Sequence, residues 1–385
     1  MAERKAEIAQ ESRLFRFTPE NYKNGGVVAV SIVRDVGPVR ALLSLVKAYP
    51  DLQTGYFVAY GGARDEVGRQ VGILPTLNPT TDGFRPDVIL TAGEVDSGLP
   101  NAVTEALKGL KPVSIWLEDT PNSLRNRTGV PDLVFCSSEE SRAKFSAGHQ
   151  DIPVNRVFTG VNPDILKVSG ETAETGPGVR RKLGIGPEQL VVTFLGSKST
   201  DIPSDPDYLE ELSTVLEEKR KAGQDVVLIR RDHPGDPNPG AYDESTAPFK
   251  GRVIVMRQGS PEIRAVETNE VCAASDRIVF AASTVFQEIS LRGALQDRPG
   301  RRGTLLITGG NSVSGDQSAV GKGIYLSATS GRGLADQIDH AHDPDLQRDI
   351  WEAQRRYSDP VTLGSNLQEM FDVISRTVYE RQNPS

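Results

Sequence analysis

Short β-branched runs alternate with helical patterns from residue 26 onward, and this rhythm constrains the fold more than any other feature of the chain. VVAVSIV at 27–33 is an unbroken apolar run, the pattern of a strand buried on both faces. Arg34, Asp35, Gly37 and Pro38 then make a turn, and VRALLSLVKAY at 39–49 repeats its apolar residues at helical spacings of three and four. Further strands are expected at 55–60, 87–93, 113–118 and 132–137, with helices at 100–109 and 138–147. Strands separated by helices pair in parallel, because the crossover helix returns the chain to the starting end of the sheet.

Near residue 164 the rhythm stops. VSGETAETGPG holds few large apolar residues, too few to order itself, and is expected to be a linker. It restarts with strands at 190–196, 225–231, 252–256, 276–283 and 304–310 and helices at 207–222 and 284–293. At 385 residues the chain exceeds what one hydrophobic core ordinarily fills. The expected fold class is therefore α/β, with two Rossmann-like domains facing a central cleft. The expected division is a polar lead-in at 1–24, a first domain at 25–163, a linker at 164–180, a second domain at 181–345 and C-terminal helices at 346–385. The lead-in could form a short amphipathic helix. The C-terminal stretch reads as two helices broken at Ser358, Asp359 and Pro360, since proline lacks a donor and disfavours helix before it. Its apolar stripe, Ile350, Met370 and Ile374, must pack, and these helices could cross between the domains.

Composition removes several classes. Lysine and arginine number 44 against 52 for aspartate and glutamate, a net charge of −8, which argues against a general nucleic-acid binder. With 37 % hydrophobic and 25 % charged residues the chain reads as soluble and globular. Cys136 and Cys272 lie far apart inside apolar runs, as buried thiols of a reducing compartment, so a cytoplasmic location is expected. MAERKAEIAQESRLFRF lacks the continuous apolar segment of a signal peptide or a membrane span. His149, His340 and His342 occur in polar segments without a metal-ligand spacing, and no bound metal is expected. Neither half carries a Walker A loop or a G-x-G-x-x-G fingerprint.

Candidate functional residues cluster where strands should end. In FAASTVFQEISLRG at 280–293 a strand gives way to a helix, with Ser283 or Thr284 at the cap and the helix's unpaired N–H groups free to bind phosphate. Glu288, one turn on, could accept hydrogen bonds from a ribose diol; the plain alternative is a capped helix with a solvated glutamate. LIRRDHPGDP at 228–237 presents Arg230, Arg231, Asp232 and His233 at a strand's carboxyl end, where either arginine could pair with phosphate oxygens and the histidine could serve a leaving phosphate or merely sit in a turn. LGSKST at 195–200 resembles an anion-binding turn through Gly196, Lys198 and Ser199. Arg34 is a further candidate phosphate contact. In WLEDTPNS, Glu118 and Asp119 fall at a strand end, suited either to general-base work or to capping, and Glu94 and Asp96 in TAGEVDSG are placed alike. The DPD runs at 205–207 and 343–345 read as helix caps.

Taken in order, VFCSSEESRAKF, RVFTGVNPDIL, VRRKLGIGPEQLVVTFLGS and ASDRIVFAASTVFQEISLRG resemble the two-Rossmann-domain (GT-B) glycosyltransferases and the non-hydrolysing UDP-N-acetylglucosamine 2-epimerases. The His233–Pro234 and Ser283–Thr284 pairs resemble the CDP-glycerol glycerophosphotransferase and bacterial sialyltransferase groups, although threonine follows Asp119 where the sialyltransferase pattern has glycine. Arg34, Glu118, His233 and the Gln287–Glu288 pair resemble the epimerases, although Asn122 and Ser123 stand where a second catalytic carboxylate would be sought. The resemblance implies a nucleotide held mainly by the second domain, with Ser283, Thr284 and Glu288 as its phosphate and ribose contacts and the acceptor entering from the first; Arg231, Gly196 and Lys198 are expected to join the nucleotide contacts, with Glu118, Asp119 and His233 as catalytic residues. It further implies metal-independent transfer of a sugar or polyol phosphate from a UDP- or CDP-type donor to a sugar, glycan or other hydroxyl acceptor, with no cofactor beyond the donor. An epimerase or hydrolase acting on the nucleotide sugar, and a non-catalytic nucleotide-binding scaffold, are the alternatives; a homodimer is a further expectation.

Overall fold

The computed structural model describes residues 13–16, 27–33, 42, 52–59, 86–92, 111–118, 124, 130–160, 175–197, 202–233, 236, 238, 240, 242–257, 260, 266–280, 285–294, 304–308, 326–328, 331–340, 343–358 and 360–383. Contacts divide the chain into one unit made of Met1–Asp164 with Val361–Ser385 and another made of Ile165–Pro360.

The first unit is built on seven strands: β1 Arg13–Arg16, β2 Val27–Val33, β3 Leu52–Ala59, β4 Val88–Ala92, β5 Val113–Leu117, β6 Leu133–Cys136 and β7 Val157–Thr159. Their order is β1-β3-β2-β4-β5-β6-β7, parallel throughout except for β1, which runs antiparallel to β3 with Leu14 opposite Val58. Residues 13–16, read above as polar lead-in, are thus an edge strand, and the charged ends of RLFR suit an edge that need not be buried on both sides. β4 is buried at every position, as its apolar run requires. Leu42, the one described residue of the helix expected at 39–49, is helical and fully buried. Helix α1, Glu139–Gly148, starts where Ser138 Oγ accepts the N–H of Ser141, and Phe145 carries it onto a core of Trp116, Val134, Cys136, Ile152 and Val157. The chain's final helix returns to this unit, with Arg381 bonded to Asp132 and Gln382 to Asp87 at 2.7 Å.

The second unit's strands are β8 Leu190–Leu195, β9 Val226–Arg231, β10 Arg252–Met256, β11 Arg277–Phe280, β12 Thr304–Thr308 and β13 Leu326–Ala328, all parallel in the order β10-β9-β8-β11-β12-β13. The apolar runs are continuous because alternate residues serve opposite faces. Val192, Phe194, Val226 and Leu228 join one core, and Val191, Val227 and Ile229 join the other. Helix α2 spans Thr175–Lys182, α3 Asp205–Lys221, α4 Thr268–Ala274, α5 Val285–Ala294, α6 Gly331–His340 and α7 Pro344–Tyr357. The break expected at 358–360 separates α7 from α8, Pro360–Gln382; α7 belongs to the second unit and nearly all of α8 to the first. Ile350, Met370 and Ile374 are buried, as their stripe implies.

Helix α2 begins inside the stretch read as linker, and what orders it is polar. Arg180, 3 % exposed, donates to the carbonyls of Ala274 (2.8 Å) and Gln189 (3.1 Å) and to Asp276 (2.7 Å), which also accepts the N–H of Val191. Gly176 lets α2 approach α4, since a Cβ there would lie 2.4 Å from the Ala273 carbonyl oxygen. An apolar count of this segment misses both devices. Cys136 and Cys272 are buried free thiols, and burial pushes the Cys136 thiol up.

Candidate functional site

In the second unit the strand order reverses between β8 and β11, its first and fourth strands, so the chain leaves these two neighbours toward opposite sides of the sheet. Open parallel sheets hold their ligands beside the carboxyl ends of the strands at such a reversal. Leu195, the last residue of β8, pairs with Arg231 on one side and Phe280 on the other. Gly196 and Asp232 therefore leave adjoining strands at one level, and the Gly196 N–H donates to the Arg231 carbonyl at 2.9 Å.

Among the candidate residues of β9, the structure separates two arginines. Arg230 is 1 % exposed and faces the interior, where it binds both oxygens of Asp232 (2.8 and 3.0 Å), the Tyr242 carbonyl (2.9 Å) and Asp243 (2.7 Å). Arg257 grips Asp243 from outside at 2.6 Å and holds its carboxyl below the ordinary range, whereas burial pushes Asp232 above it. Arg230, offered by the sequence as a phosphate partner, is instead a brace between the end of β9 and residues 242–243, because its donors are consumed inside the fold. Arg231 alternates to the opposite face and is buried; His233, half-buried, accepts the Asp236 N–H at 3.0 Å through its carbonyl, as a turn residue would.

The loop after β8 is held by two residues that sequence reasoning did not place there. Asp205 Oδ2 accepts the Ser197 N–H at 2.5 Å, while Tyr242 Oη donates to the Ser197 carbonyl at 2.8 Å and meets Asp205 Oδ2 at 3.2 Å. Asp205 was read as a helix cap, but its carboxylate turns away from the α3 backbone to bind the strand-end loop. Tyr242, fully buried against Phe194, lies in a polar stretch with no periodicity to mark it as core. Gly196 fits beneath it: a Cβ there would come within 3.3 Å of the ring and 3.4 Å of the Arg231 carbonyl oxygen. Burial raises the Asp205 carboxyl to about 6, and it pushes the Tyr242 hydroxyl up. A signal for Asp205 existed in its place at the start of an amphipathic helix just after a strand-end Gly-Ser turn; none existed for Tyr242.

In the first unit Glu118 is 4 % exposed at the carboxyl end of β5. Its Oε2 accepts both the N–H (2.7 Å) and the hydroxyl (2.8 Å) of Ser137, which follows β6 and precedes the α1 cap Ser138. This is the satisfaction of a strand-end N–H that the capping alternative expected, achieved across strands rather than along the chain. At 343–345 the capping reading also fits, with Asp343 Oδ1 accepting the Asp345 and Leu346 N–H groups. Glu288 lies in the first turn of α5; its side chain, and Arg34, Glu94, Asp96, Asp119, Lys198, Ser199, Ser283 and Thr284, lie outside the described residues. Among the described residues no group of three His, Cys, Asp or Glu side chains could hold a metal ion, and no helix is long and apolar enough to cross a membrane.

No protein-family model matches the chain, and no curated protein matches it. Solved structures do. A glycosyltransferase from Rickettsia africae is 13 % identical with a TM-score of 0.60, covering 94 % of this chain and all of its own. A UDP-GlcNAc 2-epimerase from Neisseria meningitidis bound to UDP-GlcNAc is 10 % identical with a TM-score of 0.62, covering 91 % and 100 %. An Anabaena protein in complex with UDP-glucose is 13 % identical with a TM-score of 0.60, covering 91 % and 100 %. At these identities the likeness defines the fold: an α/β chain of the GT-B type with two Rossmann-like lobes.

Proposed function

We propose that this chain is a glycosyltransferase-like enzyme that moves a sugar, or a polyol phosphate, from a UDP- or CDP-type donor to an acceptor hydroxyl. The observation that carries the reading is the reversal of strand order at β8 and β11, whose carboxyl ends lead into Gly196–Ser197 and toward the start of α5. The donor's diphosphate is assigned to this edge of the second unit, with Gly196, Lys198, Ser283 and Thr284 offering backbone and side-chain donors and Glu288 the ribose contact. Arg231 and His233 stabilise the leaving phosphate as the bond from the transferred group to its oxygen breaks. Arg34 is a further phosphate contact. Glu118 or Asp119 takes the acceptor's proton as its oxygen forms the new bond. No metal or cofactor enters the scheme.

Support also comes from the fold shared with a glycosyltransferase and with proteins solved bound to UDP-sugars. The epimerase reading shares that support through the Neisseria protein. Incubating the full chain with UDP- and CDP-activated donors separates the readings. Release of nucleotide only when a hydroxyl acceptor is present is expected, as the nucleoside diphosphate if a sugar is transferred and as the monophosphate if a polyol phosphate is transferred. An isomerised sugar formed without acceptor would replace the transferase by the epimerase, and binding without product would leave the scaffold.

A further inference from the structure

Asp205 is a costly side chain to bury. It is fully buried, its Oδ2 is bonded to the Ser197 N–H and Tyr242 Oη, and among the described residues its Oδ1 has no hydrogen-bond partner. No cation among the described residues forms an ion pair with it. A buried carboxylate with one bare oxygen costs stability that asparagine or an apolar residue would not. The position is therefore poorly suited to serve stability alone, and what its bonded oxygen touches is the first peptide of the loop leaving β8.

We infer that Asp205 and Tyr242 are positioning residues for the nucleotide-binding loop, setting the Gly196–Ser197 peptides so that the donor's phosphates meet a preformed turn. The inference rests on the donor assignment proposed above and goes beyond it by naming what shapes the loop. The two side chains act on both ends of one residue. Asp205 takes the Ser197 N–H inward and Tyr242 takes its carbonyl inward, so both peptides that flank Ser197 are fixed. Gly196 is held between the Tyr242 ring and the β9 edge, so the loop cannot slide back. The Ser197 bond is charge-assisted only while Asp205 is ionised. Protonation at the bare Oδ1 leaves Oδ2 as a neutral, weaker acceptor. Asp236 acts on Asp205 through its charge and raises the carboxyl further, and Tyr242, itself facing Asp232 and Asp236, remains a protonated donor.

The test measures UDP and CDP dissociation constants for the full chain and for Asp205→Asn, at pH 7.5 and pH 5. Asparagine keeps the shape and the acceptor but not the charge. For the nucleotide that binds, the variant is expected to be about tenfold weaker than the wild type at pH 7.5, the loss typical of one charge-assisted bond. At pH 5, where the wild-type carboxyl is protonated too, the ratio of the two constants should fall toward one. Ionisation of His233 and of the nucleotide's own phosphate is common to both proteins and cancels in that ratio. Equal affinities at pH 7.5, or a ratio that does not change with pH, would overturn the positioning role while leaving the donor site intact. If the wild type binds neither nucleotide, the donor assignment falls and this inference falls with it. Should Asp205→Asn not fold, Tyr242→Phe decides: the ring keeps its packing on Phe194, and an unchanged affinity overturns the proposal whereas a several-fold loss supports it.

Discussion

The Arg230 guanidinium and the Asp232 carboxylate, two residues apart at the end of β9, form a fully buried bidentate pair at 2.8 and 3.0 Å. Successive residues of a strand point to opposite faces, so residues two apart share one, and here the shared face looks into the core beside Tyr242. Arg231, between them, is turned the other way. One strand end thus sends its charges to both faces of the sheet.

Removing Arg230 takes from buried Asp232 its bidentate partner and leaves only Arg257, 3.9 Å away, to offset its charge. Arg230→Ala should cost about 3–5 kcal/mol in urea unfolding, the usual penalty for breaking a buried pair from one side. Arg230→Met with Asp232→Asn should lose clearly less than the single change, because no orphan charge remains. A single change costing under about 1 kcal/mol, the range of a surface pair, would contradict the burial described here.

Asp205 makes stability depend on pH in a direction opposite to the usual carboxylate. Its folded-state carboxyl is raised from 3.8 to about 6, so between those values the folded chain holds a proton that the unfolded chain has released. The favourable contribution is fully present below pH 3.8 and is lost as pH rises through about 6. Relative to wild type, Asp205→Asn should gain about 3 kcal/mol in stability between pH 3.5 and pH 7.5, as two pKa units imply. Denaturant titrations of both proteins at the two pH values give that difference directly, and a gain of the opposite sign refutes the assignment.

Arg180 should be what orders the start of the second unit. Arg180→Ala breaks its bond to Asp276 and leaves the carbonyls of Ala274 and Gln189 unmet, at a cost of about 3–5 kcal/mol. Limited proteolysis should then cut near Arg181 and Lys182 faster than in wild type, and an unchanged cleavage rate would remove Arg180 from this role.

Glu118 supports two readings that one substitution separates. Glu118→Gln retains an oxygen to accept from Ser137 and should fold with nearly wild-type thermal stability. If Glu118 is the general base, turnover should drop by about 10²-fold or more, with KM little changed. Retained turnover makes it a strand-end brace only.

The sequence announced its strands well where both faces are buried. LVVTFLG and DVVLIRR became β8 and β9 almost residue for residue, because two-sided burial demands an unbroken apolar run, and RVIVM, although it forms the edge strand β10, kept enough apolar residues to be read as well. The edge strands RLFR, VFT and LSA passed unseen, since a strand with one partner needs neither length nor continuous apolarity. The order of the second sheet follows from the repeated strand–helix unit, and with it the position of Gly196 and His233 at carboxyl ends. What could not be read was how charge is divided. Nothing in LIRRDH distinguishes the arginine that is consumed by Asp232 from its neighbour, and nothing in GAYDES marks Tyr242 as the residue that reaches back to Ser197. Those pairings span 12 or more positions or depend on strand facing, and only the folded chain sets them.

The proposed donor site makes the second unit hold a nucleotide at the carboxyl ends of β8 and β11. Isothermal titration of UDP and of CDP into the full chain and into Glu288→Ala tests it most directly. One nucleotide binding the wild type saturably, and binding at least about tenfold more weakly to the variant that lacks the proposed ribose contact, is the predicted result. Heat of dilution alone from both nucleotides, or equal binding by the two proteins, would contradict it.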